Sequence, residues 1–542
     1  MRLSKSPFPS VHAARSVHTL GKGRSRVRQC GLATALALLL SGCAVAQMGG
    51  EDDVPFAGVA ADEPRAAQVA RDVLSQGGSA ADAAAALYFA LTVTRPSQAS
   101  LGAGGACLAW SRNDPTVRAI NFKQPPSATG EPEVAPPGAP RAMAVLHGLH
   151  GRLRWGQVVA PAEALARFGH RVSRAFATDL AEADPRTFAS GGMSVFAPGG
   201  RVLAEGADLE QPDLAATLTA IRTDGAPALH DGPLADRLLS GIARFGGRLD
   251  RRELAAFAPR VDDALVKRLG STRVAFTPWF ETQGPYQALL WEALANRDFS
   301  GVRESERPHL MAEAAARTHG AVAAAIASSE PVTGWGAEKQ AAGLMADYRR
   351  DRHVAADGTA AVGRRGNPAG TTFVVADGQG GGVACGLTMG RPFGAGRMAE
   401  GTGVVPAIRS DAAVDDDSLS PVLAMNPNSN VLFFLGAGSG PGAATAVVEV
   451  AARVLAAEQP LTAALAAARV ENRAAPDATF VEPAAVDAVR SDLEGRGHRV
   501  ERLPSPSLVN AVSCPGGLPR SPGSCVLAAD KRGFGIDAFV RR

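Results

Sequence analysis

The chain has 542 residues, 46% of them hydrophobic, 20% charged and 5% aromatic, which excludes wholesale disorder and permits a large packed core. Its formal charge of +3 is unevenly placed: seven of the 56 Lys and Arg fall in residues 1–43, where there is no acid, which leaves 49 basic against 53 acidic residues, a net of −4. A mildly acidic body without a basic, aromatic-interleaved stripe has no electrostatic reason to seek nucleic acid.

The basic excess ends at Arg28, residues 31–40 form an apolar run, and Leu40-Ser41-Gly42-Cys43 follows. About ten apolar residues are half of the roughly twenty needed to cross a bilayer, so the run reads as the core of a signal peptide. Small residues ahead of Cys43 resemble a bacterial lipobox. That implies a lipoprotein signal over 1–43, cleavage before Cys43, diacylation of Cys43, and membrane contact through that lipid anchor alone. Ala44 stands where an aspartate would mark inner-membrane retention, so the expected place is the cell envelope, as a periplasmic lipoprotein on the outer membrane. An ordinary secretory signal with a chance cysteine is the other reading.

The body opens with Asp62-Glu63-Pro64, read as an N-cap and first turn, and an apolar stripe at Val69, Val73 and Leu74 that ends at Gly77-Gly78. A second helix starts at Ser79 with Asp82 three residues on. It is so alanine-rich that it must pack closely on both sides, and Arg95-Pro96 stops it. The glycine-rich 101–105 leads into a strand at 106–110; no helix with a Lys-Ser/Thr pair follows, so close backbone packing is expected rather than a phosphate cradle. Residues 124–140 are Pro-rich surface, and helical runs at 162–168, 214–221, 234–245, 286–295 and 309–327 alternate with glycine breaks. Residues 349–370 form a polar, Gly-rich linker. Beyond it, 371–376 and 383–389 read as a hairpin around a Gly-rich turn. The segment 430–436 reads as a strand running into a Gly436–Gly440 turn and a helix over 443–457, and 500–502 and 525–529 read as further strands. Helices and strands in both halves predict a layered α/β body.

Four of six cysteines lie in this body. Cys514 and Cys525 bracket a Gly/Pro-rich loop, where a bridge and two free thiols stand equally open. Cys107 and Cys385 sit in apolar, strand-like surroundings and read as buried free thiols. No cysteine pair has two-residue spacing, and His147 and His150 have no acid or cysteine beside them, so no metal site is expected.

Several stretches together resemble the gamma-glutamyltranspeptidase family of the N-terminal-nucleophile hydrolases. They are Gly77-Gly78-Ser79-Ala80-Ala81-Asp82-Ala83-Ala84, Gly102-Ala103-Gly104-Gly105, Asn121-Phe122-Lys123-Gln124-Pro125-Pro126, Gln211-Pro212-Asp213-Leu214-Ala215 with Gly232-Pro233-Leu234-Ala235, and Gly247-Arg248-Leu249 before Glu253-Leu254. Gly370-Thr371-Thr372, Ser418-Leu419-Ser420-Pro421 and the Gly436–Gly440 turn complete the series, in family order over nearly all of 55–540. The resemblance implies a four-layer αββα sandwich. It also implies a precursor that cuts itself between Gly370 and Thr371, giving a large subunit, 44–370, and a small subunit, 371–542, held as a heterodimer. Thr371 would then attack a γ-glutamyl amide such as glutathione through an acyl-threonine intermediate, its own freed α-amine, with a pKa of roughly 7.7–8.0, serving as base. The threonine chemistry so implied requires no cofactor. Thr388 corresponds to a supporting threonine. Ser439 and Gly440 correspond to the backbone N–H donors of the oxyanion site.

The match departs from the family in the substrate-binding set. Lys123 stands at an arginine position, keeping the charge but not the bidentate fork, and Asp417-Ser418 stands at a Ser-Ser pair. Gly390 replaces an asparagine, and residues 404–408 replace the polar lid. Phe373 follows Thr371-Thr372 where the family has a histidine after its threonine, which leaves Thr372 open as the nucleophile. Two other readings fit these changes: an uncut envelope protein that keeps the scaffold without the chemistry, and an amidase for a non-glutamyl acyl group.

Overall fold

The computed structural model describes residues 56–123, 133–189, 191–329, 331, 334–356, 370–409, 419–483, 487–503 and 505–540. Cys43, Asp417, Ser418 and most of the 349–370 linker lie outside them.

Two antiparallel sheets carry the body. The first has seven strands in the order Ile536–Phe539, Gly58–Ala61, Gly370–Ala376, Gly382–Thr388, Gly104–Ser111, Asp114–Asn121 and Arg260–Asp263. The second has six: Val526–Ala528, Leu508–Leu518, Leu432–Ser439, Val422–Met425, Thr272–Phe276 and Leu265–Leu269. Side chains alternate across a strand, and here the alternation sorts them into layers. From Gly370–Ala376, Val374 and Ala376 join Leu108, Trp110, Leu423, Met425 and Leu435 in a core between the sheets. Phe373 and Val375 point the other way, into a core shared with the helices Pro64–Ser75 and Ala80–Thr94. From Val422–Met425, Val422 and Ala424 face the helices Gly284–Ala295, Arg307–Ala327 and Ala443–Leu455. Helix, sheet, sheet and helix thus stack in four layers, the α/β sandwich that the resemblance implies.

Every residue of Ala80–Thr94 is buried, and its Ser79–Asp82 capping box forms as expected. The first helix differs at its start. Glu63, not Asp62, caps it, its carboxylate accepting from the Ala66 N–H at 2.6 Å, which frees Asp62 for another task. The strands Arg260–Asp263, Leu265–Leu269 and Thr272–Phe276 interrupt a region that reads as helical. Leu432–Ser439 runs three residues past its expected end, so the turn is Gly440–Gly442 and not Gly436–Gly440.

Cys514 and Cys525 form a disulfide. Cys107 and Cys385 are not free thiols: they also form one, across 278 residues, because strand register sets them directly opposite each other with Cα atoms 4.1 Å apart. Among the described residues, no helix is long and apolar enough to cross a membrane.

Candidate active site

The strand Gly370–Ala376 lies between Gly58–Ala61 and Gly382–Thr388, with Ala61 opposite Phe373 and Thr388 opposite Gly370. The residue after Ala61 therefore stands beside the two threonines. Asp62, 4% exposed, receives four donors: the Thr371 hydroxyl at 3.1 Å, the Thr372 N–H at 3.0 Å and the Ser439 hydroxyl at 3.3 Å on Oδ2, and Asn510 Nδ2 at 2.7 Å on Oδ1. Such a set offsets the desolvation of a buried carboxylate. The two threonines part by strand alternation. Thr372 faces the second sheet, donating to the Ala437 carbonyl at 3.4 Å and accepting from Asn510 Nδ2 at 3.2 Å. Thr371 points to the opposite side, with its hydroxyl on Asp62.

A cavity of about 220 Å³ opens at this point. Asp62, Gly370, Ser439 and Gly440 line it, with Arg95, Asp179 and Arg532 among the other walls. Ser439 ends its strand, and Gly440 turns the chain with φ +92°, where an added Cβ would lie 2.7 Å from the Pro506 carbonyl oxygen; only glycine fits. Arg95 binds Asp179 through two bonds of 2.8 and 2.9 Å. Burial pulls the Arg95 pKa down, but the carboxylates of Asp179, Asp62 and Glu63 outweigh it, and the net shift is upward. A wider cavity of about 810 Å³ shares Glu182, Ala183 and Pro392 with the first and carries Arg186, Arg391 and Arg397.

Of the residues singled out in the sequence, the structure brings Gly370, Thr371, Ser439 and Gly440 together. Thr388 lies at the same sheet end, one residue out of step with Thr371, its hydroxyl oxygen accepting from the Gly390 N–H at 2.9 Å. Lys123 is not among the lining residues. Its ammonium donates to the Glu281 carbonyl at 3.2 Å, and three strand spacings, roughly 14 Å, separate the strand it follows, Asp114–Asn121, from that of Thr371. Gly390 has φ +76°, and a Cβ there would come within 2.5 Å of the Ile408 carbonyl oxygen, so the backbone excludes any side chain at this position. Residues 404–407 are buried rather than a lid: a Cβ on Gly102 would meet their backbone at 2.8 Å, which is what the glycine-rich 101–105 is for. Asp62, Asn510, Arg95 and Asp179 are the members that sequence reasoning missed.

The family model "Gamma-glutamyltranspeptidase" matches residues 66–414 and 416–538. The glutathione hydrolase proenzyme of Bacillus subtilis (strain 168) is 28% identical over 278 residues, 47% of this chain and 47% of that protein. The glutathione hydrolase 5 proenzyme of Homo sapiens is 30% identical over 263 residues, 45% of each. The chain thus spans about half the length of the curated relatives it matches. A cephalosporin acylase from Bacillus halodurans superimposes with a TM-score of 0.73 at 21% identity, over 89% of this chain and 96% of that one, and so shares the fold, the sandwich of the N-terminal-nucleophile hydrolases. The match over most of its length makes this chain a member of the gamma-glutamyltranspeptidase family.

Proposed function

We propose that the chain is a self-cleaving hydrolase or transferase of γ-glutamyl amides such as glutathione, with Thr371 as its nucleophile. The observation that carries this reading is the convergence of the Thr371 hydroxyl, the Thr372 N–H and the Ser439 hydroxyl on one buried oxygen of Asp62. In the uncut chain Asp62 accepts the Thr371 proton as Oγ1 attacks the Gly370 carbonyl carbon. The C–N bond breaks, the proton passes to the departing nitrogen, and an ester joins Gly370 to Oγ1. Water hydrolyses that ester, leaving Gly370 with a carboxylate and Thr371 with a free α-amine. The same hydroxyl then attacks substrate with the amine as base. Ser439 and Gly440, at the cavity wall, are the donors for the oxyanion, a role worth roughly 2.7–4 kcal/mol where it has been removed elsewhere.

Residues 44–370 and 371–542 are then two subunits of one heterodimer. Arg186, Arg391 and Arg397 of the wider cavity supply the positive charge for a substrate carboxylate that Lys123, held elsewhere, does not. The two disulfides suit an oxidising compartment, and the lipobox-like residues ahead of Cys43 are what support an envelope lipoprotein anchored there.

On a reducing denaturing gel the wild type gives two fragments, with N-terminal sequencing of the smaller starting at Thr371, and Thr371→Ala gives one. An uncut wild type sinks the proposal. Release from a γ-glutamyl anilide, against anilides of other acyl groups, tests the substrate: faster release of another acyl group transfers the chemistry to that amide.

A further inference from the structure

Far from Thr371 in the sequence, the fold gathers three chain segments around a polar cluster that no sequence spacing announces. His309 and Glu313 lie one turn apart on the helix Arg307–Ala327, hence on one face. His498, just before the strand Val500–Arg502, meets them from the last part of the chain. His309 Nδ1 is 2.7 Å from His498 Nε2, and His498 Nε2 is 3.7 Å from Glu313 Oε1. The three ligand atoms all lie within 4.8 Å of one another, and the residues are 0%, 0% and 4% exposed.

We propose that His309, Glu313 and His498 bind one Zn²⁺ ion. The outer contacts of each side chain turn a lone pair inward. His309 Nε2 lies 2.8 Å from the Arg349 carbonyl, which can only accept, so in the neutral ring the hydrogen sits on Nε2 and Nδ1 faces the cluster bare. His498 Nδ1 lies 2.8 Å from Thr479 Oγ1, a partner fit to hold its hydrogen while Nε2 ligates. Glu313 Oε2 accepts from Arg317 at 2.8 Å, and Oε1, which His353 also contacts, keeps a second lone pair for the ion. His353 is a positioning residue: Nδ1 contacts Glu313 Oε1 at 2.5 Å and Nε2 contacts Asp477 Oδ2 at 2.9 Å. The Arg349 carbonyl on His309 is the kind of outer partner that orients a metal-bound imidazole, and His353 holds the ligating carboxylate in the same way. Ligands about 2.0–2.1 Å from a tetrahedral zinc stand about 3.4 Å apart, and the separations of 2.7 and 3.7 Å lie within an ångström of that spacing. Two imidazoles and a carboxylate suit Zn²⁺ rather than Mg²⁺ or Ca²⁺, and a water completes the shell.

The site needs no cut chain and no Thr371 chemistry, so it stands or falls separately from the proposed activity. The test uses the whole chain without a polyhistidine tag, stripped with a chelator, reloaded with Zn²⁺ and desalted. One zinc per chain by elemental analysis is expected. Cobalt(II) in its place gives the strong visible bands of a four-coordinate ion, and reloading raises the thermal midpoint. His498→Gln lowers zinc affinity at least 100-fold, and His353→Ala lowers it about 10- to 100-fold. Should the variants not fold, the cobalt spectrum of the wild type decides. Retention of no zinc, a cobalt spectrum no different from the free aqueous ion, or equal zinc binding by His498→Gln overturns the proposal.

Discussion

Asp62 gathers two hydroxyls, one amide N–H and one side-chain amide onto a single carboxylate, and its role follows from that position. Asp62→Asn keeps the shape but removes the proton acceptor. Cleavage is expected to slow by roughly 100-fold or more, read from a time course on reducing gels, while the circular dichroism spectrum stays that of the wild type. In the sequence this aspartate is disguised. Before Glu63-Pro64 it reads as a helix cap, and only the structure shows that Glu63 takes the cap. Asn510 has no local signature at all, because its partners are 448 and 138 residues away. Thr371 is singled out by the resemblance, because a threonine where a polar linker meets an apolar strand otherwise reads as an ordinary β-branched strand residue. A buried histidine elsewhere makes a different prediction. His230 is fully buried with Nε2 2.6 Å from the Pro137 carbonyl; burial, aided by nearby Arg141, lowers its pKa from 6.5 to about 4. Between those values the unfolded chain binds a proton that the folded one refuses, so stability falls as pH drops through the window, by about 1.4 kcal/mol per unit at most. Urea unfolding at pH 7.0 and 5.5 is expected to show the wild type losing about 1 kcal/mol more than His230→Gln.

At the scale of elements, the helices that cap and repeat in the ordinary way are the legible ones. Ser79 with Asp82, and the alternating faces of Gly370–Ala376, carry their own evidence. The strands missed within the helical region, Arg260–Asp263, Leu265–Leu269 and Thr272–Phe276, are edge strands or neighbours of one. Arg260–Asp263 is exposed at all four residues, and Leu265–Leu269 borders the second sheet, so neither shows the apolar alternation of a core strand. The two turns beside the site are set by backbone geometry. Gly390→Ala forces a left-handed φ and a clash with the Ile408 carbonyl, and a loss of about 1–3 kcal/mol is expected by chemical denaturation. The missing asparagine at this position is therefore a property of the turn before it is one of substrate choice.

For the molecule as a whole, the proposed cut divides a body whose sheets cannot be divided. In the first sheet, Gly370–Ala376 and Gly382–Thr388, from the second part of the chain, sit between strands of the first part. In the second sheet, Val422–Met425 pairs with Thr272–Phe276. Four layers were readable from the resemblance. The covalent tie was not, because two lone cysteines 278 residues apart carry no spacing signal and only strand register pairs them. Cys107 lies before the cut and Cys385 after it. A non-reducing denaturing gel is therefore expected to show one band where a reducing gel shows two, and Cys107→Ser with Cys385→Ser is expected to give two bands on both.

That tie bears on the chemistry proposed for the cavity. Glutathione carries a thiol, and thiol–disulfide exchange requires a thiolate to reach a bridge sulfur directly. Cys107 and Cys385 are both 0% exposed, shut between the first sheet and its helices. An enzyme bathed in a sulfhydryl-bearing metabolite would thus keep its halves fastened for as long as it stays folded, and local unfolding, rather than encounter with its own feedstock, would set how long the fastening lasts.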